Sequence, residues 1–475
     1  MSISARRWNH RGLALASAVF LLASPCVLAS PLRAEEPPPP EGATPAPAET
    51  PAEPGLQWKL GLEAKLHYRH SEANSIPIAN FPIDVGHPVF LSTVDPGSHI
   101  ELSTVTLVGD ASWGESLAGN VRIEVGNLYD RNPTSTGKKV IVHDAWLRLG
   151  HEVRPAVMPE GSGGYFKLGK FAHFERQNDR HLESWGLLST AFNRFSDVGF
   201  EGGVELGRFV YAKASITTGN PVFIRDPNAL AGDNGTPARQ PPPPFTEPKL
   251  GSGFVIPYDT EVQDVGNGSN PQTSVGLGFH LSDESGQNGV DVLAWGRERK
   301  LADTVELEGT FYGGDLDILN GPFNTTRLGG KFSLPIKDDK KKEAGANLWV
   351  YWGGLSVFGQ YVDQRLAGMK RKGIEGEVAW RFDLPVVWGL AGRQLFPHIQ
   401  PAVRYSKLEP EFRGGSPQYP APSVRWDWEK IDAGIRVTII EGIDVTAEYA
   451  KNEFVLLNGV HHENNESLVT FRWKL

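Results

Sequence analysis

From Trp58 to Arg69 apolar and polar residues alternate without a break: Trp58, Leu60, Leu62, Ala64, Leu66 and Tyr68 take the even positions, and Lys59, Gly61, Glu63, Lys65, His67 and Arg69 the odd ones. A period of two predicts a strand with one apolar face. The run suits a tilted crossing of a bilayer core, which takes about 9–11 residues, better than a soluble strand of ~5–6. Trp58 and Tyr68 stand at its two ends, where a membrane barrel carries its aromatic girdles.

The chain closes on the same pattern, with Val469, Phe471, Trp473 and Leu475 on one face and Thr470, Arg472 and Lys474 on the other. Strands at both ends predict a seam between them, because lipid offers no partner to the N–H and C=O groups of an open edge. Similar segments recur in between: Val121–Val125, Val198–Leu206, Phe209–Ile216, Val275–Leu281, Val305–Phe311, Leu328–Leu334, Leu355–Tyr361, Ile374–Phe382, Ile399–Tyr405, Ile431–Ile439 and Ile443–Tyr449. Less regular ones lie near 98–110, 140–149, 164–171, 289–299 and 345–352, for 18 in all. The expected fold is all-β, a transmembrane antiparallel β-barrel of 16 strands, or 18, since bacterial barrels have even numbers.

Connections alternate crudely in length. Leu206-Gly207-Arg208 and Glu441-Gly442 read as tight periplasmic turns, and residues 70–97, 219–272 and 407–424, rich in Pro, Gly, Asn and Asp, as long external loops. Helical periodicity is scarce, and its best candidate is Asn178–Leu188, inside a loop. The 53 glycines and the negative mean hydropathy agree with a barrel, in which only alternate strand residues meet lipid.

The N-terminus changes where this barrel is expected to reside. Arg6, Arg7 and Arg11 precede an apolar run from Leu13 to Leu28, with small residues for cleavage at Ala29 or Ala34. Residues 1–34 therefore read as a signal peptide, too short and too soon followed by prolines to span a membrane as a helix. Residues 35–55 are a proline-rich linker expected to be disordered, and 56–475 the barrel. The sole cysteine, Cys26, falls in the signal segment, so the mature chain has no disulfide and no thiol chemistry. Removing four arginines with that segment moves the formal charge from −9 to −13, which excludes a broad basic field for nucleic acid.

Residues 144–207 contain DAWLRLG and then YFKLGKFAHFERQNDRHLESWGLLSTAFNRFSDVGFEGGVELG. With Gly169-Lys170-Phe171, a loop carrying Glu175, Arg176, Glu183 and Ser184, Phe192 to Phe195, and Asp197-x-Gly199 opening a glycine-rich strand, this stretch resembles the phosphate-selective porin O and P family of Gram-negative outer membranes. The resemblance implies a cell outer-membrane channel for small hydrophilic solutes, anions such as phosphate among them, that works by passive diffusion and is not an enzyme. It also implies that residues 172–196 fold inward as a constriction loop. Its pore charges would be Lys170, Glu175, Arg176, Asp179, Arg180, Glu183 and Arg194, joined by Lys59, Lys65 and Arg69 on the lumenal side of the first strand. The chain departs from the family in its acidic total and in ending on Leu475 where outer-membrane barrels commonly carry an aromatic residue.

Other chemistry is weak. His461-His462-Glu463 and Asp315-x-Asp317 offer metal donors, but neither has a third ligand at a recognisable spacing, so no metal or other cofactor is expected. Asp338-Asp339-Lys340-Lys341-Lys342 reads as a hydrated turn, and no G-x-S-x-G motif supports hydrolysis. The expected partners are outer-membrane lipid and small solutes or ions, with a homotrimer as the assembly considered. Two competing readings are a barrel enzyme of the outer membrane, a lipase or protease, and a soluble secreted carbohydrate-binding β-protein.

Overall fold

The alternating residues at the start fold as β1, Leu56–Ser71. The computed structural model describes residues 55–72, 75–78, 89–92, 97–114, 116–125, 140–151, 163–177, 179–192, 196–207, 209–225, 261–264, 270–283, 287–306, 315–317, 337–386, 388–390, 392–412, 426–455 and 459–475. The expected signal peptide and all of the linker but Gly55 lie outside these residues.

Fifteen further strands complete a ring. They are β2 Gly97–Trp113, β3 Leu117–Val125, β4 Val140–Gly150, β5 Gly164–Ala172, β6 Ser196–Glu205, β7 Val210–Thr217 and β8 Gln272–Ser282. Then follow β9 Gly289–Lys300, β10 Lys340–Trp352, β11 Leu355–Leu366, β12 Met369–Trp380, β13 His398–Pro410, β14 Asp427–Ile440, β15 Ile443–Val455 and β16 His461–Lys474. Each pairs antiparallel with the next. The seam closes as expected, with Lys474 of β16 opposite Glu63 and Glu466 opposite Ser71 of β1.

The barrel thus has 16 strands, the lower of the two expected numbers. Of Val305–Phe311 the described part is Val305 and Glu306, within a strand Thr304–Glu306 that pairs in a small separate sheet with Glu261–Asp264 and Asp315–Asp317, while 328–334 lies outside the described residues. The ring leaves no edge for Thr304–Glu306, because β9 is already paired with β10 as far as Lys300 opposite Lys340. The lysine run expected to be a turn is instead the start of β10, with Lys341 buried on the lumenal side.

Outside, the alternating residues meet the membrane. Trp58, Leu60, Leu66 and Tyr68 are exposed while Lys65, His67 and Arg69 are buried inside. Exposed Trp58, Trp113, Trp352, Trp380 and Trp473 gather where the chain enters and leaves the ring, and exposed Tyr68, Tyr361 and Tyr449 stand toward the other end. The ten residue-to-residue steps from Trp58 to Tyr68 rise about 33 Å along the strand, or about 25 Å along the axis at ~40° tilt, the height of an apolar band.

The far edge of that band is level. On β9 to β15 the first charged outward residues are Glu298, Lys342, Asp363, Lys372, Lys407, Glu429 and Lys451. Glu298 lies opposite Lys342, Asp363 opposite Lys372, and Lys407 opposite Glu429. Between these pairs the edge drops by two residues, since Lys342 faces Arg365, Lys372 faces Glu409 and Glu429 faces Glu453. A drop of about 6.6 Å for every two strands, about 9.6 Å across, corresponds to roughly 35°, the tilt of strands in such a barrel. The edge therefore follows the membrane plane.

Leu206–Gly207, Gly353–Gly354 and Glu441–Gly442 make tight connections at the tryptophan end, with Gly207 and Gly442 at positive φ of 88° and 87°. Lengths do not alternate throughout: Ala367–Gly368 is a tight turn at the opposite end, and residues 381–397 form a longer connection among the tight ones.

Candidate functional site

The segment between β5 and β6 crosses the lumen instead of leaving the barrel. Its helix, α1, spans Leu187–Ala191, so the expected Asn178–Leu188 helix forms only at its end and beyond. At the root of the loop Arg297 donates to the Glu175 carboxylate at 2.6 Å, Asn347 and Gln360 donate to the Glu175 carbonyl at 2.5 and 3.3 Å, and His173 meets Asp197 at 2.6 Å. Phe174, Leu187, Leu188 and Phe192 pack with Trp295, Trp349, Phe358, Trp426, Trp428 and Phe454, an apolar core enclosed by the barrel.

Further on, the loop is held by carboxylates of the opposite wall. Glu377 of β12 accepts from the His181 amide at 3.0 Å and contacts the His181 ring at 2.9 Å. Glu448 of β15 accepts from the amides of Glu183 and Ser184 at 2.8 and 2.7 Å. Glu375 of β12 accepts from the Leu188 amide at 2.9 Å and from the Ser189 hydroxyl at 2.7 Å. Arg404 donates to the Ser184 carbonyl at 2.8 Å and is itself paired with Asp432 at 2.8 Å, while Lys430 donates to the Trp185 carbonyl at 2.8 Å. Close approach demands Gly186, where a Cβ would run into the Glu375 carboxylate, and Gly434, where it would meet Leu182 at 2.7 Å.

At the tip the Glu183 carboxylate lies 3.1 Å from Lys65, 3.1 Å from Arg436 and 3.5 Å from Arg472. Burial opposes its charge, yet Lys65, Arg436 and Arg472 together hold it well below the usual carboxylate range. Glu175 is lowered in the same way, with burial outweighed by Arg297.

The residues expected at the constriction separate into groups. Glu175 and Glu183 are buried and serve as anchors, as does Lys65 on the wall, and Arg69 is buried with Glu466 at 3.4 Å. Arg180 lies 3.6 Å and Arg176 5.8 Å from the Trp185 ring, both half-buried, and Asp179 is exposed beside them. Lys59 points inward and stays exposed. Lys170 is a correction: it shares the outward face of β5 with exposed Phe166 and Leu168, lies opposite outward Val198, and bonds the Val142 carbonyl. Strand parity, which a positive φ at neighbouring Gly169 does not reverse, turns it away from the pore. Arg194 lies outside the described residues.

On the lumenal faces of β2 and β3 inward Asp110 and Arg122 stay exposed, with Asn120 donating to Asp110 at 2.7 Å. Alternation in Val121–Val125 could have revealed Arg122, because it sits on the polar face of that run. Nothing local could have selected Glu375, Glu377, Arg404 or Glu448 as loop partners. The suggested metal donors are engaged elsewhere, His461 with Glu453 at 2.6 Å and Glu463 with Lys451 at 3.1 Å, and among the described residues no group of three or more metal-binding side chains occurs.

In shape the chain is similar to the outer membrane channel DcaP of Acinetobacter baumannii, with a TM-score of 0.46 and 10% identity over 89% of this chain and 98% of that one. It is similar to OprB of Pseudomonas putida, with a TM-score of 0.46 and 9% identity over 88% and 94%. It is also similar to the anion-selective porin of Comamonas acidovorans, with a TM-score of 0.38 and 9% identity over 89% and 100%. No family model and no curated protein matches the chain.

Proposed function

We propose that the protein is a porin of a Gram-negative outer membrane, a passive diffusion channel for small hydrophilic solutes, exported by cleavage of residues 1–34 with 35–55 as a spacer. The observation that carries this reading is the loop fastened across a 16-stranded lumen, which narrows the passage while Asp110 and Arg122 still meet water beside it. A barrel of this strand number encloses an aqueous channel unless it is plugged.

Within that reading we assign an anion preference, phosphate included. Wall cations neutralise Glu175 and Glu183, so among the described residues of the loop two arginines, Arg176 and Arg180, stand against one carboxylate, Asp179, on the part that meets water. Nearby charges set the field in a narrow pore, whereas the net charge of −13 acts from beyond the ~8–10 Å screening length. The resemblance to phosphate-selective porins points the same way, and a homotrimer is the matching assembly.

Planar-bilayer recording in a salt gradient tests this. The parent channel is expected to prefer anions, and Arg176→Gln with Arg180→Gln to move the reversal potential toward cations. A double variant indistinguishable from the parent overturns the selectivity assignment, and absence of any conductance overturns the channel.

A further inference from the structure

Every neighbouring strand pair in the ring is joined by a stretch of chain except β1 with β16, whose pairing brings together residues as far apart as His67 and Thr470, 403 positions along the sequence. Closing so long a segment carries the largest entropic cost in the ring, so side-chain contacts across this seam matter most here. Three of the rungs on its lumenal face supply their own. Lys474 lies 3.1 Å from Glu63 directly opposite, His67 shares a hydrogen bond of 2.7 Å with Thr470 opposite, and Arg69 reaches Glu466 at 3.4 Å.

The remaining rung is a mismatch, because Lys65 stands directly opposite Arg472 and both point inward. Leu62 and Leu475 exchange both backbone hydrogen bonds, which makes the even positions of β1 the hydrogen-bonded pairs of the seam and Lys65–Arg472 a non-hydrogen-bonded one, the kind in which side chains come closest. Like charges placed directly opposite destabilise a strand pair. The wall around them carries Lys65, Arg436, Arg472 and Lys474 against Glu63 and Asp444, and Glu448, the next carboxylate up, is taken by the amides of Glu183 and Ser184. Lys65 keeps Glu63 at 3.7 Å and Arg472 keeps Asp444 at 2.6 Å. Among the described residues, however, the carboxylate that reaches both is Glu183, at 3.1 and 3.5 Å, and it comes from the loop. This rung is complete only when the loop is docked.

We propose that the constriction loop is also the wedge that closes the barrel: Glu183, reaching Lys65 and Arg472 together, cancels their repulsion and lets β1 pair with β16, so that loop docking and ring closure stabilise one another. The coupling is reciprocal, since each event favours the state in which the other occurs. A plain anchor would differ, because it would hold the loop to a wall already closed without it. The proposal rests on the placement of the loop across the lumen and not on the channel reading.

The half-life of the folded, fast-migrating band of full-length mature protein in hot sodium dodecyl sulfate tests this. E183Q is expected to shorten it about tenfold. K65Q, which costs the parent stability or leaves it unchanged, is expected to restore most of the loss when added to E183Q, although the loop stays open to protease, because removing one of two facing cations removes their repulsion. That reversal of sign has no place in a plain anchor. Cys26 is the only cysteine and lies in the expected signal peptide, so H67C/T470C, at a non-hydrogen-bonded pair, can lock the seam as an engineered disulfide. In the locked form E183Q is expected to last as long as the parent. An unlocked E183Q as long-lived as the parent, a K65Q/E183Q no more stable than E183Q, or a gap that persists behind the disulfide overturns the proposal. Should E183Q fail to fold, recovery of folded barrel by K65Q/E183Q decides, and no recovery overturns it. Conductance does not enter these readouts, so a failed channel assignment leaves the result interpretable.

Discussion

Glu183 joins three strands through one carboxylate: Lys65 of β1, Arg436 of β14 and Arg472 of β16 all reach it. Breaking a buried charge set costs about 3–5 kcal/mol. Since Arg472 keeps Asp444 at 2.6 Å and Lys65 keeps Glu63 at 3.7 Å, Glu183→Gln is expected to weaken loop docking near the lower figure. The sign of its pH dependence follows from a lowered value. The stabilisation is fully present above the ordinary 4.5 and is lost as pH falls through the lower folded value. Limited proteolysis of the loop should therefore be unchanged from pH 7 to 5 and accelerate only below about pH 4. Glu183→Gln should be cut readily at pH 7, and a variant as resistant as the parent would remove Glu183 as an anchor. Its type and loop position were readable in the sequence, but its role was not, because a pore charge and an anchoring charge differ only in what lies opposite.

At the scale of elements, β1 was legible residue by residue, since its alternation has no exception and lipid on one side enforces it. Leu62→Arg, near mid-height, is expected to cost about 2–4 kcal/mol of barrel stability in lipid-vesicle unfolding, and Lys59→Gln almost nothing. Equal losses would reverse the assignment of faces. Glu63 is no neutral control, being paired with Lys474 at 3.1 Å. The constriction loop was legible only through resemblance, and its helix was misplaced because a five-residue helix has no periodicity to detect. The start of β10 was missed for a related reason: Lys340 and Lys342 stand above the apolar band, so the strand continues where its hydrophobic signal has ended. Replacing residues 176–190 by a short glycine–serine link is expected to raise single-channel conductance while the barrel stays folded. Unchanged conductance would mean that the loop does not narrow the passage.

For the whole molecule, closure of β1 on β16 predicts a protein that needs detergent for extraction and migrates differently on gels before and after boiling, as intact barrels resist unfolding. Recovery in a soluble fraction would contradict the apolar exterior. Material extracted from the outer membrane should begin near residues 30–35, whereas an intact Met1 would overturn the expected cleavage. The sequence by itself determined the strand rhythm, the seam between its ends and the height of the apolar band. The rhythm and the band height follow from a period of two against a fixed bilayer and are written in neighbouring residues, and the seam follows because lipid offers no partner to the edges of the first and last strands. Tertiary structure alone decided that sixteen strands close the ring, that Lys170 faces outward, and that the loop lies across the lumen. Those outcomes depend on partners far apart in the chain, as when the Ser184 amide finds Glu448, 264 residues away, and no local pattern encodes a pairing that only closure brings within reach.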